Sequence, residues 1–185
     1  VDKLGQVTQK DYLDYHIEQI LKVPYVNVEA IKAKKFKVVV DAVNSVGGIA
    51  APKLLRALGV EVIHELYCDP TGKFAHNPEP LPENLSALSS EVKQQKADIG
   101  IAVDPDVDRL ALIDEQGVPF GEEYTLVAVA DYVLAHKKGN TVSNLSSTKA
   151  LRDISEKHGV LYSASAVGEV NVVEKMKETN AVIGG

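Results

Sequence analysis

Three aspartates at alternate positions, Asp104, Asp106 and Asp108, are followed directly by Arg109. In an extended chain alternate side chains lie on the same side, so the three carboxylates face one way. A curved loop would bring their oxygens together, and clustered carboxylate oxygens are ligands that Mg²⁺ prefers. Because close carboxylates repel one another, a bound cation would relieve that repulsion. The pattern therefore predicts a Mg²⁺ site, with a solvated acidic turn as the simpler alternative.

A calcium-binding EF-hand loop is a second alternative for this acidic segment. Its charged positions match the three aspartates and Glu115. That loop, however, needs glycine where this chain has Arg109, and a helix should precede it. Here the apolar runs at 97–103 and 110–113 flank the aspartates and predict strands. This context excludes the EF-hand.

The segments before and around the aspartates alternate between strands and helices. The two strands that flank the aspartates are too close in sequence for a crossover helix, so they should pair antiparallel. The pattern predicts a three-layer α/β/α unit with a four-stranded mixed sheet whose last strand is antiparallel. Its expected elements are a helix starting near Thr8 and Asp11, a strand at 36–41, a helix ending before Gly59, a strand at 60–66, a helix from Pro82 to Gln95, and strands at 97–103 and 110–113.

A second unit with the same alternation is expected after the turn at 115–117. Helices are predicted at 124–135, 148–157 and 170–178, and strands at 141–144, 160–164 and 181–183. The sequence thus predicts two consecutive three-layer α/β/α units, at 1–116 and 117–185, the second of them truncated. The chain lacks an initiator Met and ends on Gly184-Gly185 directly after an apolar strand, so we expect both ends to be cuts in a longer protein.

Composition restricts the class of protein and its partners. The net charge of -6 argues against a nucleic-acid-binding surface, which needs clustered Lys and Arg. The single cysteine, Cys68, excludes an internal disulfide and suits a reducing cytoplasm. The sequence contains no apolar run of about 18 residues, so a membrane-spanning helix is not expected. We therefore expect a cytoplasmic protein that binds neither nucleic acid nor membrane.

The ordered motifs of the whole chain resemble those of the α-D-phosphohexomutases, which include phosphoglucomutase, phosphomannomutase and phosphoglucosamine mutase. The resemblance covers the second domain of that family and roughly the first two thirds of its third domain. The motifs are VVVDAVNSVGG at 38–48, GKF at 72–74, NPEP at 77–80, ADIGIAVDPDVDR at 97–109, NLSS at 144–147 and AVGE at 166–169.

The resemblance implies an isomerase that moves phosphate between O1 and O6 of a hexose phosphate. It would act through a bisphosphorylated sugar and a phosphoserine on the family's first domain, which this chain lacks. Asp104, Asp106 and Asp108 would hold the Mg²⁺. Arg109 would be a catalytic residue that binds the substrate phosphate, with an ion pair to its own aspartates as the structural alternative.

The resemblance also implies substrate-binding roles for Arg109, Ser146, Gly168 and Glu169. Ser146 stands where some family members have Lys, and Glu169 where many have His. These departures leave the metal chemistry intact and do not indicate which sugar phosphate is the substrate. The implied partners are a hexose phosphate and the remaining domains of the parent enzyme.

Two other functions remain open on the residues alone. A Mg²⁺-dependent phosphatase of the haloacid-dehalogenase type also uses aspartates after a strand, but the segment at 41–43 matches its nucleophile motif poorly. A non-enzymatic cation-binding α/β module would need only the carboxylates, and it should bind Ca²⁺ tightly rather than Mg²⁺ weakly. Among the histidines we single out only His76, beside the proline-rich loop at 69–82.

Overall fold

Successive side chains of the first strand point to opposite faces of the sheet, and a helix packs on each face. The computed structural model describes residues 5–185, and in it strand β1 spans Lys37–Asp41. Val38 and Val40 belong to a buried cluster with Leu55 of helix α3 (Gly47–Ala57). Val39 belongs to the opposite cluster, with Leu88 and Val92 of helix α4 (Ser86–Gln95). Both faces of β1 are therefore covered, as its continuous apolar sequence requires.

The first sheet has the strand order β2-β1-β3-β4. Its other strands are β2 (Val62–Leu66), β3 (Ile99–Val103) and β4 (Leu110–Ile113). Strand β1 pairs parallel with β2 and β3, while β3 pairs antiparallel with β4. The predicted four-stranded mixed sheet is confirmed. The carboxyl ends of the three parallel strands lie at one edge, where ligands of such sheets usually bind.

Two short helices precede β1. Helix α1 (Leu13–Leu21) packs against α3, and helix α2 (Val28–Lys34) follows it. The expected start near Thr8 was too early, because the helix begins at Leu13, whose N–H donates to Asp11 Oδ1 at 2.8 Å. Helix α2 was not predicted from the sequence. Its seven residues include only two large apolar side chains, Val28 and Ile31, which is too few to give a clear helical periodicity.

The second unit contains a three-stranded parallel sheet of order β6-β5-β7 within the described residues. Helix α7 contacts all three strands, and α5 packs against α6 and β7. Two consecutive α/β units are thus confirmed, while the boundary between residues 116 and 117 stays a prediction. The elements are α5 (Glu123–His136), β5 (Asn140–Asn144), α6 (Ala150–His158), β6 (Tyr162–Ser165), α7 (Glu169–Thr179) and β7 (Ala181–Gly184).

The two units share a crevice of about 240 Å³. Pro80 and Leu112 line it from the first unit, and Tyr124 and Thr148 from the second. The connection begins at a tight turn in which Asp114 Oδ1 accepts from the N–H groups of Gln116 and Val118. Within residues 5–185 no helix has the length and apolar character needed to cross a membrane.

Candidate functional site

The aspartate segment between β3 and β4 forms a closed loop. Asp104 is buried, and its Oδ1 accepts from the backbone N–H groups of Asp108 and Arg109, each at 3.0 Å. The N–H of Val107 also donates to the carbonyl oxygen of Asp104, at 3.2 Å. Val107 has a φ of 63°, a conformation that β-branched residues rarely adopt. These bonds reverse the chain direction and fix the loop at the carboxyl end of β3.

Loop closure brings the three aspartates together. One ligand oxygen from each of Asp104, Asp106 and Asp108 lies within 4.8 Å of the others. Asp106 and Asp108 are exposed, so the cluster opens to solvent on one side. The arrangement can hold a metal ion, with Asp104 as its buried member and the other two at the mouth.

The carboxyl groups of this cluster affect one another. Burial alone would raise the pKa of Asp104 and is the largest influence, but the Arg109 N–H and hydrogen bonds with Asp108 and Asp106 together hold that pKa below its ordinary value. The pKa of Asp108 is raised, first by its shared hydrogen bond with Asp104 and then by the charges of Asp104 and Asp106. The three carboxyl groups therefore interact through hydrogen bonds and through their charges. A cation would favour the charged form of all three groups.

The side chain of Arg109 pairs with the proline-rich loop. Its Nη1 donates to Glu79 Oε2, on the proline-rich loop, although the two residues are 30 positions apart. Within residues 5–185 the ion-pair partner of Arg109 is Glu79 rather than one of its own aspartates. Both side chains are about half exposed, so the guanidinium stays accessible. Its other N–H groups can still bind an oxyanion.

A second polar contact joins the proline-rich loop to the same edge of the sheet. Asp41, the last residue of β1, is buried, and its Oδ2 lies 3.0 Å from His76 Nε2. Sequence reasoning singled out His76 but gave it no partner, and it missed the roles of Asp41 and Glu79. Two features could have pointed to them: an acidic residue ending an apolar strand, and a glutamate between two prolines.

In the second unit, the loop after β5 is organised by one side-chain oxygen. Asn144 Oδ1 accepts from the backbone N–H groups of Ser146 and Ser147, at 2.8 and 3.1 Å. It also accepts from their hydroxyls, at 2.6 and 3.2 Å. Ser146 is exposed, and Leu145 N donates to Ser165 O at the end of β6. The loop that carries Ser146 is thereby joined to the neighbouring strand end.

Gly168 and Glu169 lie at the same edge, between β6 and α7. Gly168 has a φ of 117°, which only glycine adopts readily, and Glu169 is the exposed first residue of α7. Because β5 and β6 are parallel neighbours, this loop and the Ser146 loop lie side by side. The structure therefore gathers the aspartates and Arg109 at the edge of the first sheet. It places Ser146, Gly168 and Glu169 together at the edge of the second.

The arrangement combines a possible cation site with the half-exposed cationic side chain of Arg109. Since Asp104 fixes the backbone of Arg109, a metal held by the aspartates and an oxyanion held by Arg109 would be close neighbours. Binding a doubly charged phosphate group is the chemistry that such a pair serves best.

Two family models match the chain. The model described as phosphoglucomutase/phosphomannomutase, alpha/beta/alpha domain II matches residues 11–117. The model for alpha/beta/alpha domain III of the same family matches residues 121–185. Together they cover both units.

Similar proteins carry related names. A phosphoglucomutase/phosphomannomutase of Thermococcus kodakarensis is 37% identical over 186 residues, covering 100% of this chain and 40% of that protein. A probable phosphoglucosamine mutase of Pyrococcus abyssi is 36% identical over 185 residues, again covering 100% of this chain and 40% of that protein. The crystal structure of a phosphoglucomutase/phosphomannomutase family protein from Burkholderia thailandensis superposes with a TM-score of 0.81 and 31% identity, covering 96% of this chain and 38% of that one.

The chain thus spans about two fifths of the length of the curated relatives that it matches. These likenesses give no support to the phosphatase or to the non-enzymatic cation-binding module.

Proposed function

The chain belongs to the phosphoglucomutase/phosphomannomutase family, and we propose that it forms the metal- and phosphate-binding segment of a phosphohexomutase. The parent enzyme would be an isomerase that interconverts hexose 1-phosphate and hexose 6-phosphate through a bisphosphorylated sugar. The observation that carries the proposal is the closed loop in which Asp104 Oδ1 accepts from the backbone N–H of Arg109, because it fixes the residue that bears the guanidinium at the end of the carboxylate cluster.

We assign Mg²⁺ to the cluster of Asp104, Asp106 and Asp108. Hard carboxylate oxygens within 4.8 Å of one another suit this cation. The pKa of Asp108 is raised first by its hydrogen bond with Asp104 and then by the charges of Asp104 and Asp106, which a cation would offset. When bound, the ion would neutralise negative charge on the phosphoryl group that is transferred. Asp104 would contribute a carboxylate oxygen to the ion while its Oδ1 fixes the loop.

We assign phosphate binding to Arg109, as a catalytic residue. Its guanidinium is half exposed and keeps N–H groups that Glu79 does not occupy, so it can make more than one hydrogen bond to a phosphate. A positive charge placed beside the transferring group would stabilise the charge that develops there.

We assign sugar recognition to Ser146, Gly168 and Glu169, at the edge of the second sheet. The shared crevice, lined by Pro80 from one unit and Thr148 from the other, supports a substrate that contacts both units. The phosphoserine and the other domains would be supplied by the rest of the parent enzyme. The free cysteine, Cys68, supports a reducing compartment, and we propose the cytoplasm.

The test is an isomerase assay of the full-length parent with Mg²⁺. We expect conversion of at least one of glucose 1-phosphate, mannose 1-phosphate and glucosamine 1-phosphate, and the comparison among them identifies the sugar. The 185-residue chain alone should show no turnover, because positioning by several domains is needed. A pure, metal-loaded parent that converts none of the three would contradict the proposal.

A further inference from the structure

A largely buried hydrogen bond fixes the proline-rich loop to the centre of the first sheet. Asp41 is 1% exposed and ends β1, which has β2 and β3 on either side. Its Oδ1 accepts from Val43 N at 3.0 Å, and its Oδ2 lies 3.0 Å from His76 Nε2. Because both oxygens have partners, the carboxylate has a defined orientation toward the loop.

The ring of His76 is held on three sides. Its Nδ1 lies 2.8 Å from the carbonyl oxygen of Asn77, and a carbonyl can only accept, so Nδ1 carries a hydrogen. Nε2 pairs with Asp41 Oδ2, so both ring nitrogens have a hydrogen-bond partner. The ring also meets Tyr67 edge to face, with centroids 5.5 Å apart.

The backbone of Glu79 is fixed by its neighbours. Its N–H donates to Asn77 Oδ1 at 3.2 Å. Its carbonyl oxygen accepts from Leu81 N and from Asn84 Nδ2, both at 2.8 Å. Prolines stand on both sides of Glu79, at 78 and 80, and each fixes its own φ. The loop that His76 holds therefore presents Glu79 in one backbone conformation.

The fixed Glu79 forms an ion pair with the guanidinium of Arg109. An exposed ion pair between two flexible side chains contributes little by itself. Here the backbones of both partners are fixed in advance, that of Glu79 by the loop and that of Arg109 by Asp104 Oδ1. Less conformational entropy is then lost when the guanidinium adopts a single orientation.

We propose that Asp41 and His76 are positioning residues, which act through Glu79 to orient the Arg109 guanidinium toward the substrate phosphate. The proposal rests on the phosphate-binding role assigned to Arg109 above. A merely structural role for the pair would stabilise the loop without affecting Arg109. The two roles differ in what happens to the side chain of Arg109 and to the KM.

The first measurement follows the Nε–H signal of Arg109 in the ¹⁵N spectrum of the 185-residue chain. His76→Ala and Glu79→Ala should both shift or broaden this signal. His64→Ala is the matched control, because His64 lies on β2 and forms no side-chain hydrogen bond within residues 5–185. Glu79 is half exposed, so Glu79→Ala keeps the test available if His76→Ala fails to fold. An unchanged Arg109 signal in a folded His76→Ala chain would overturn the proposal.

The second measurement uses the kinetics of the parent enzyme. We expect His76→Ala to raise the KM for hexose 1-phosphate about tenfold, a typical effect of losing the group that orients a ligand-binding side chain. The double variant His76→Ala/Glu79→Ala should have a KM no higher than that of the more impaired single variant, since His76 and Glu79 act on the same guanidinium. Additive effects, or an unchanged KM, would overturn the proposal. A wild-type parent without turnover would refute the proposed function instead, and the Arg109 signal would still decide whether His76 orients the guanidinium.

Discussion

Asp104 Oδ1 accepts a hydrogen bond from the backbone N–H of Arg109 at 3.0 Å, so the first carboxylate of the loop fixes the position of its last residue. Asp104 therefore has a structural role as well as the metal-binding role that we propose. Asp106, which is exposed at the mouth of the loop, is the better residue for separating metal binding from folding.

Replacing Asp106 with Asn should weaken Mg²⁺ binding without harming the fold. The substitution removes one of three mutually repelling charges, so without metal the melting temperature should stay the same or rise. With Mg²⁺ present, the stabilisation of the wild-type chain should be largely lost in the variant, since we expect its affinity to fall about tenfold or more. Thermal melts of both proteins, with and without Mg²⁺, measure the two effects.

Asp114→Asn is the control for this charge change. Like Asp106→Asn, it removes one negative charge, but at the end of β4 far from the aspartate loop. Asp114 instead accepts the hydrogen bonds of the turn at 114–118. It should leave Mg²⁺ stabilisation intact. An Asp106→Asn chain that is clearly less stable without metal, and that responds normally to Mg²⁺, would show that Asp106 is structural.

Val107 should be strained in the loop, and glycine should relieve the strain. Its φ of 63° costs a non-glycine residue about 1–2 kcal/mol. Val107→Ala keeps this cost, whereas Val107→Gly removes it, and both lose the same packing to within one methyl group. We predict that the Gly variant is more stable than the Ala variant by about 1 kcal/mol in urea unfolding. The opposite order, which is usual for glycine and alanine elsewhere, would contradict this account.

Asp131 should stabilise the second unit only above its own pKa. A hydrogen bond from His158, followed by one from Lys157, holds the pKa of Asp131 below its ordinary value of 3.8. A lowered folded-state pKa gives stability that is present above 3.8 and is lost as the pH falls through the folded value. Asp131→Asn should therefore be less stable than wild type at about pH 7, and the difference should shrink in acid below the pKa. A difference that stays constant over this range would contradict the assignment.

Cys68 should react slowly with thiol reagents in the folded chain. Burial first, and then the charges of Glu65 and Asp41, raise the pKa of its thiol from the ordinary 9.0 to about 12. Only the thiolate is nucleophilic, so a rise of three pKa units lowers the reactive fraction about 1000-fold. Labelling at about pH 8 in buffer and in urea gives the ratio of rates. Equal rates would show that the native environment does not protect the thiol.

Local patterns were enough to predict the first sheet and the aspartate loop. The apolar runs on both sides of the aspartates made 97–103 and 110–113 strands, and their short separation required antiparallel pairing. The alternation of three carboxylates indicated a cluster, which loop closure through Asp104 produces. Helix α2 was missed because it has seven residues with only two large apolar side chains, and its start is set by the Asn27 cap, which accepts from Ala30 N.

Contacts between distant segments could not be predicted in the same way. The Asp41–His76 and Glu79–Arg109 pairs join residues 35 and 30 positions apart, and no periodicity links them. They arise because parallel strands bring their carboxyl ends to one edge and the proline-rich loop crosses that edge. Similarly, nothing local indicated that the four donors of Ser146 and Ser147 would converge on Asn144 Oδ1.

The most direct test of the account is to locate the cation on the 185-residue chain with Mn²⁺, whose unpaired electrons broaden nearby amide signals. At low Mn²⁺ concentrations we predict that the signals of residues 104–109 broaden first, that excess Mg²⁺ restores them, and that Asp106→Asn abolishes the effect. Broadening that favours other acidic surfaces, such as Glu174 and Glu178 on α7, and that leaves residues 104–109 sharp would contradict the account.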